Sequence, residues 1–354
     1  MTAEEMLRQC VDIDASDIFI IAGATISYRK NGVVTIEQGE KLMPQDTERI
    51  VREIYHLAYD RDMTRLTEKG DDDFSFAVPG LSRFRVSAYK QRGTYSAVIR
   101  VVVFELPDPE KLGIPDCVIQ TGMQSRGMVL VTGPAGSGKS TTLACIIRHI
   151  NENRAAHIIT LEDPIEFLHR HKKSIVSQRE INVDTESYVT ALRAALRQSP
   201  DVILLGEMRD YETISVAMTA AETGHLIFST LHTMGASNTI NRIIDVFPAS
   251  QQKQIAVQLS TVLTAVISQQ LVPTTDGRRV PAFEIMTVTP AIRNMIRDNK
   301  VYQIDGVIYG SAGDDMISMD NSLLNLYKKG IITRDTALHC ASNPDMMERK
   351  LKVN

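Results

Sequence analysis

The sequence predicts an α/β chain in two parts: an N-terminal α+β domain, then a parallel-sheet core that ends in a helical tail. Three observations carry this. First, Gly133-Pro134-Ala135-Gly136-Ser137-Gly138-Lys139-Ser140 fits G-x-x-x-x-G-K-[ST] at every fixed position, between an apolar strand-like run and a helix start. Second, apolar runs separated by helical stretches recur after it, as in a parallel sheet buried on both faces. Third, the segments before residue 104 alternate apolar and polar residues, as antiparallel strands do.

The N-terminal elements read in order as follows. Asp17-Ile18-Phe19-Ile20-Ile21 is a strand, and Ile26–Arg29 and Val33–Ile36 flank an Asn31-Gly32 hairpin signal. Asp46 to Tyr59 carries helical spacing through Ile50, Val51, Ile54 and Leu57. Phe74–Val78, Arg83–Tyr89 and Tyr95–Arg100 then alternate as strands of one antiparallel sheet. Glu105-Leu106-Pro107-Asp108-Pro109, with Gly113 and Pro115 behind it, marks a linker.

In the second part, Met128–Thr132, His157–Leu161, Val202–Leu205 and Leu226–Thr230 are the strand candidates, with Ser187 to Gln198 and Glu212 to Glu222 as helices between them. A long amphipathic helix is expected from about Gln251 to Leu271, and short helices from about Pro290 onward.

Length, composition and charge bound the function. A chain of 354 residues suggests two or three domains, and 43% hydrophobic with 23% charged residues is a globular composition. A net charge of −4 and a pI near 6.1 count against a general nucleic-acid binder. No apolar stretch reaches the ~18 residues of a membrane span, and Met1-Thr2-Ala3-Glu4-Glu5 does not resemble a secretory signal. Cys10, Cys117, Cys145 and Cys340 are scattered without a C-x-x-C pair, so neither a disulfide framework nor a thiolate zinc site is expected. The expected compartment is the cytosol.

The glycine run is a phosphate cradle. Its glycines let successive backbone N–H groups converge on phosphate oxygens, and the following helix adds the positive end of its dipole. Lys139 is placed to reach the β/γ-phosphates, and the Ser140 hydroxyl suits Mg²⁺; Thr141 completes the loop. A nucleoside triphosphate is therefore the expected ligand.

Polar groups end the later strands on the same side. Glu162-Asp163-Pro164-Ile165-Glu166 follows the second strand of the sheet, where a carboxylate can position or deprotonate the attacking water, or else merely cap a helix. Glu207, after Val202–Leu205, is placed to organise Mg²⁺ from a strand expected beside that of the loop. His232, after Leu226–Thr230, reads either as structural or as a sensor of the γ-phosphate. Asp201 and His225 stay ambiguous. Arg83, Arg85, Arg92 and Arg100 on the N-terminal strands are either solvated charges or arginine fingers acting from an adjoining domain or subunit.

Taken together, Gly133–Thr141, Thr160–Phe167, Gly206–Asp210, Ala220–Leu226 and Thr230–Thr233 resemble the secretion-type ATPases that power type II secretion and type IV pili. There these stretches are the Walker A loop, acidic box, Walker B and His box, and their order and spacing match here. Ala291-Ile292-Arg293-Asn294-Met295-Ile296-Arg297-Asp298 looks like the A-I-R-N-L-I-R-E helix of the pilus-retraction members, with two conservative changes. The extension members usually carry further N-terminal domains and a four-cysteine zinc motif, for which this chain has neither the length nor the cysteines.

The resemblance implies a PAS-like domain over 1–103, a linker over 104–116 and a RecA-like core over 117–354, including C-terminal helices from about 290. It implies a homohexameric ring using ATP and Mg²⁺, with each N-domain packed on the neighbouring core. Glu166 becomes the expected catalytic base with Glu162 in support, and Ser140 and Glu207 the Mg²⁺ ligands. Arg85 and Arg100 are the expected fingers. The implied partner is an inner-membrane pilus platform protein met at the cytoplasmic face, with no nucleic acid. One motif departs: where the family reads S-D-L-H-L-x-x-G-x-P-P, Ser16–Ile26 lacks the histidine and the proline pair. Competing readings are a secretion or pilus-extension ATPase, a nucleotide-binding scaffold with little turnover, and a RecA-like DNA motor.

Overall fold

The computed structural model describes residues 2–30, 33–36, 39–102, 106, 108–311 and 315–353. These form two units, Met1–Glu105 with Glu166–Leu168, and Leu106–Ile165 with His169–Asn354.

Alternation builds the first unit. Its elements are α1 (Ala3–Asp12), β1 (Asp17–Ile20), β2 (Ser27–Lys30), β3 (Val33–Ile36), α2 (Pro44–Leu57), α3 (Thr64–Lys69), β4 (Asp71–Val78), β5 (Ser82–Gln91) and β6 (Thr94–Val102). The strands form one sheet in the order β3-β2-β1-β6-β5-β4, every neighbouring pair antiparallel. Phe74, Phe76, Phe84, Val86, Ala97 and Ile99 bury one face of it in a core shared with Met6, Leu7, Ile50 and Ile54 of the helices. The short helices α1 and α3 go beyond the sequence reading. α1 is set by a capping box, Thr2 Oγ1 accepting from Glu5 N at 3.2 Å while the Glu5 carboxylate accepts from Thr2 N at 2.8 Å. The Asn31-Gly32 turn lies outside the described residues, although β2 and β3 on either side of it pair as a hairpin. Arg92 is a turn residue, not a strand residue. With Gly93 it makes the two-residue connection of β5 to β6, at φ of 49° and 78°.

The second unit runs through α4 (Asp116–Gln120), β7 (Gly127–Thr132), α5 (Lys139–Asn153), β8 (His157–Glu162), β9 (Ile175–Glu180), α6 (Tyr188–Ala195), β10 (Val202–Leu205), α7 (Tyr211–Glu222) and β11 (Leu226–Leu231). It continues with α8 (Ala236–Asp245), α9 (Ala249–Val262), β12 (Leu263–Pro273), β13 (Arg279–Thr287), α10 (Pro290–Arg297), α11 (Ile304–Gly310), α12 (Met319–Lys328), α13 (Arg334–Cys340) and α14 (Pro344–Val353). The sheet order is β13-β12-β7-β11-β10-β8-β9, parallel except for the β12–β13 pair. Its strands β7, β8, β10 and β11 are largely apolar because both faces are covered. Met128 and Leu130 pack into one core and Val129 and Val131 into another, with Ile159/Ile158 and Ile203/Val202 divided in the same way. Of the linker motif, Glu105 and Pro107 lie outside the described residues.

One expectation fails here. The helix expected from Gln251 to Leu271 ends at Val262, and Leu263 begins strand β12 beside β7. Leu263, Ala265, Val266 and Ile267 are apolar and buried on both sheet faces. An apolar run of that kind satisfies a buried helix and a buried central strand equally, so periodicity cannot tell them apart. The β-branched pair Val266-Ile267 fits the strand.

Candidate nucleotide site

The loop after β7 is shaped by its glycines. Gly133, Gly136 and Gly138 have φ of 138°, 75° and 89°, values that side-chain-bearing residues rarely adopt. At Gly133 a side chain would also collide with the backbone carbonyl of Gln269. Gly138 is the N-cap of α5, so the helix starts at Lys139 and its first N–H groups are left for a ligand. Pro134, Ala135 and Gly136 are exposed at the tip, whereas Ser137 and Lys139 are buried. Lys139 Nζ donates to the carbonyls of Gly133 (2.8 Å) and Pro134 (2.9 Å), so its charge is folded onto the rim of the loop. Ser137 Oγ is buried with no protein partner, an orphaned polar atom inside a cradle of donors. Ser140 and Thr141 follow on the first turn of α5, half-buried.

Parallel register brings the other polar groups to this edge of the sheet. Thr132, which ends β7, is level with Leu231 at the end of β11, and Leu205 of β10 is level with Ser229 of β11 and Leu161 of β8. Residues just beyond these positions therefore emerge together at the carboxyl edge, where open parallel sheets bind ligands. The strand carrying Glu207 is not adjacent to the loop strand, as the sequence suggested; β11 lies between them. That insertion sets His232 between the loop and Glu207 along the edge. His232 Nε2 is 3.6 Å from Glu207 Oε2, and Arg209 Nε reaches the same oxygen at 2.6 Å. The Glu207 segment is tied to β11 at two points, Thr230 Oγ1 donating to Gly206 O at 2.6 Å and Met208 N to Thr230 O at 3.2 Å.

Glu162 is the last residue of β8, and its carboxylate accepts from Thr160 Oγ1 at 2.6 Å. Asp163 and Glu207 line a cleft of about 260 Å³ with Tyr188. Tyr188 was not foreseen, and no motif marks it. Burial pushes its phenol well above the usual tyrosine range, and the charges of Glu207, Asp163 and Glu162 push it further. A Cβ at Gly206 would stand 2.8 Å from its hydroxyl.

Other candidates belong to the first unit or to the opposite edge of the second sheet. Glu166 is exposed and belongs to the Glu166–Leu168 segment of the first unit. Arg85 and Arg100 are exposed and directly opposite each other on β5 and β6. Arg100 Nε donates to Asp17 Oδ1 at 2.9 Å, and Asp17 is itself buried. Asp201 accepts from His157 N at 2.8 Å, and His225 Nδ1 meets Ala220 O at 2.9 Å. They immediately precede β10 and β11, at the edge opposite the loop.

Two further residues emerge from β12, the strand the sequence disguised as helix. Thr142 Oγ1 donates to Gln269 Oε1 at 2.7 Å, and Ser268 Oγ lies 2.7 Å from Thr132 Oγ1. A cleft of about 720 Å³ opens behind the loop, lined by Gly138, Thr141 and Gln269 together with apolar Leu112, Ile114 and Leu271.

Known proteins resemble this chain in sequence and in fold. The twitching motility protein of Neisseria gonorrhoeae is 50% identical over 276 residues, 78% of this chain and 74% of that one. The type IV pilus retraction ATPase PilT of Pseudomonas aeruginosa is 44% identical over 98% of this chain and 99% of its own. A crystal structure of the pilus retraction motor PilT with bound ADP superposes with a TM-score of 0.90 at 44% identity, covering 99% of each chain. The family described as type II/IV secretion system protein matches residues 1–309, and the chain belongs to that family.

Proposed function

We propose that the chain is an ATP-hydrolysing motor that drives retraction of type IV pili. It acts as a homohexamer at the cytoplasmic face of the inner membrane, docked through a pilus platform protein. The observation that carries the ATPase reading is the alignment of the phosphate loop, His232 and Glu207 on successive strand ends. Relatives of matching length that bear pilus-retraction names support the direction of the motor.

The residues fit the chemistry. The N–H groups of Gly136–Ser140 and the Lys139 ammonium take the phosphates, and Ser137 Oγ gains the partner it lacks. The apolar cleft behind Gly138 and Thr141 takes base and sugar. Ser140 and Glu207, hard oxygen donors, would hold Mg²⁺, which would supply neutralisation of phosphate charge. Glu166 accepts the proton of the attacking water while the terminal phosphoryl group leaves ADP, and Glu162 supports it. His232 senses the phosphate through its contact with Glu207. Arg85 and Arg100 serve as fingers toward a neighbouring subunit; for Arg100 this requires release from Asp17.

Phosphate release by the purified chain, against Lys139→Ala, tests the enzyme: turnover in the native chain and none in the variant is expected. Equal, negligible release from both would make the chain a nucleotide-binding scaffold. Deleting the gene should leave surface fibres that no longer retract, and loss of the fibres would assign extension instead.

A further inference from the structure

We propose that Ser268 and Gln269 of β12 are positioning residues that hold the phosphate loop and the His232 loop in fixed relation to each other. The proposal rests on the nucleotide-site reading above. Successive residues of a strand face opposite sides of the sheet, so two neighbours in sequence can serve two loops at once.

On one side, Ser268 Oγ lies 2.7 Å from Thr132 Oγ1, on the last residue before the phosphate loop. The same oxygen accepts from Gly235 N at 3.1 Å, in the turn that follows His232. Ser268 and Thr132 are both fully buried, so neither hydroxyl has water as an alternative. On the other side, Gln269 Oε1 accepts from Thr142 Oγ1 at 2.7 Å on the first turn of α5. Two of the loop glycines are fitted to this same residue. Gly133 leaves room for the Gln269 backbone carbonyl, and the Gln269 amide nitrogen lies 2.9 Å from where a Cβ of Gly138 would stand. Gln269 is only 2% exposed, in a strand that is otherwise largely apolar. A buried amide there is stable only with its partner in place. A shift of either loop must therefore strain contacts made by adjacent residues of one interior strand.

Each residue has its own test on the full chain. Gln269→Met keeps the side-chain volume and removes the amide, and Ser268→Ala removes one hydroxyl. Gln269→Met should raise the KM for ATP about tenfold with kcat within about twofold, because the loop binds ground and transition states alike. It should also speed deuterium exchange across residues 133–142 in nucleotide-free protein. Ser268→Ala should lower kcat about tenfold with KM unchanged, since it frees the His232 side. Thr142→Val should reproduce the KM rise, and combining it with Gln269→Met should add nothing further. Should Gln269→Met fail to fold, Gln269→Asn, which withdraws the amide by one methylene, should show the same exchange change. Native kinetics and exchange in both single variants, or additive effects of Thr142→Val and Gln269→Met, overturn the proposal. Because exchange is read without nucleotide, a native chain that failed to hydrolyse ATP would sink the motor reading while the exchange result still decided the role of Gln269.

Discussion

At the scale of residues, the candidate carboxylates differ in how the fold holds them. Glu162 and Glu207 are both engaged, by Thr160 and by Arg209 with His232, which suits a supporting group and a metal organiser. Glu166, the proposed base, is exposed. Glu166→Gln should therefore keep nucleotide affinity and lose turnover by at least about 100-fold, within the range for a general base; native turnover in that variant would return the role to Glu162. A second residue sets a pH response. His169 Nδ1 is buried without a partner, and burial lowers its pKa from 6.5 to about 4. Between these values the unfolded chain binds the proton that the folded chain refuses, so stability rises with pH across that window. Lowering the pH from 7 to 5 should reduce the melting temperature, and His169→Phe should flatten that slope. A variant with an undiminished slope would place the effect on other groups.

At the scale of elements, each sheet is set by its own kind of side-chain pattern, and one buried polar group pins the first. The Asp72 carboxylate on β4 is fully buried; it accepts from Tyr55 Oη at 2.9 Å and from Arg61 Nε and Nη2 at 2.9 and 3.0 Å. It joins α2, the chain that follows it and β4. Asp72→Ala should destabilise the first unit by about 3 kcal/mol, read from its denaturation midpoint, because it strands the Tyr55 hydroxyl and a half-buried guanidinium. Asp72→Asn should cost less, since it still accepts from Tyr55; equal losses would make charge the dominant part. In the second unit, α10 presents Ile292 and Ile296 to the core while Arg293 Nε donates to Ser260 O of α9 at 3.0 Å. Of the two arginines of α10, Arg293 is tied to α9 and Arg297 pairs with Asp298.

At the scale of the whole molecule, the proposed ring makes a direct prediction. Sedimentation with Mg²⁺ and a non-hydrolysable ATP analogue should give a species of about 236 kDa, six times the 39.4 kDa chain. A monomer under saturating nucleotide would remove the ring and with it the finger roles of Arg85 and Arg100. The positions of the candidate site residues at strand ends were legible in the sequence because they are local features. Eight consecutive residues make the loop, and Glu162, Glu207 and His232 each stand at or just after the end of a short apolar run that forms a strand. What the sequence could not decide was which strands become neighbours. That β11 separates the loop from Glu207, and that Leu263–Pro273 is a strand and not the end of a helix, depends on burial against both faces of the sheet. Ser268 and Gln269 reach Thr132 and Thr142 across 136 and 127 residues of chain. No periodicity encodes a contact at that distance, because it exists only once the sheet has assembled and excluded water from both partners.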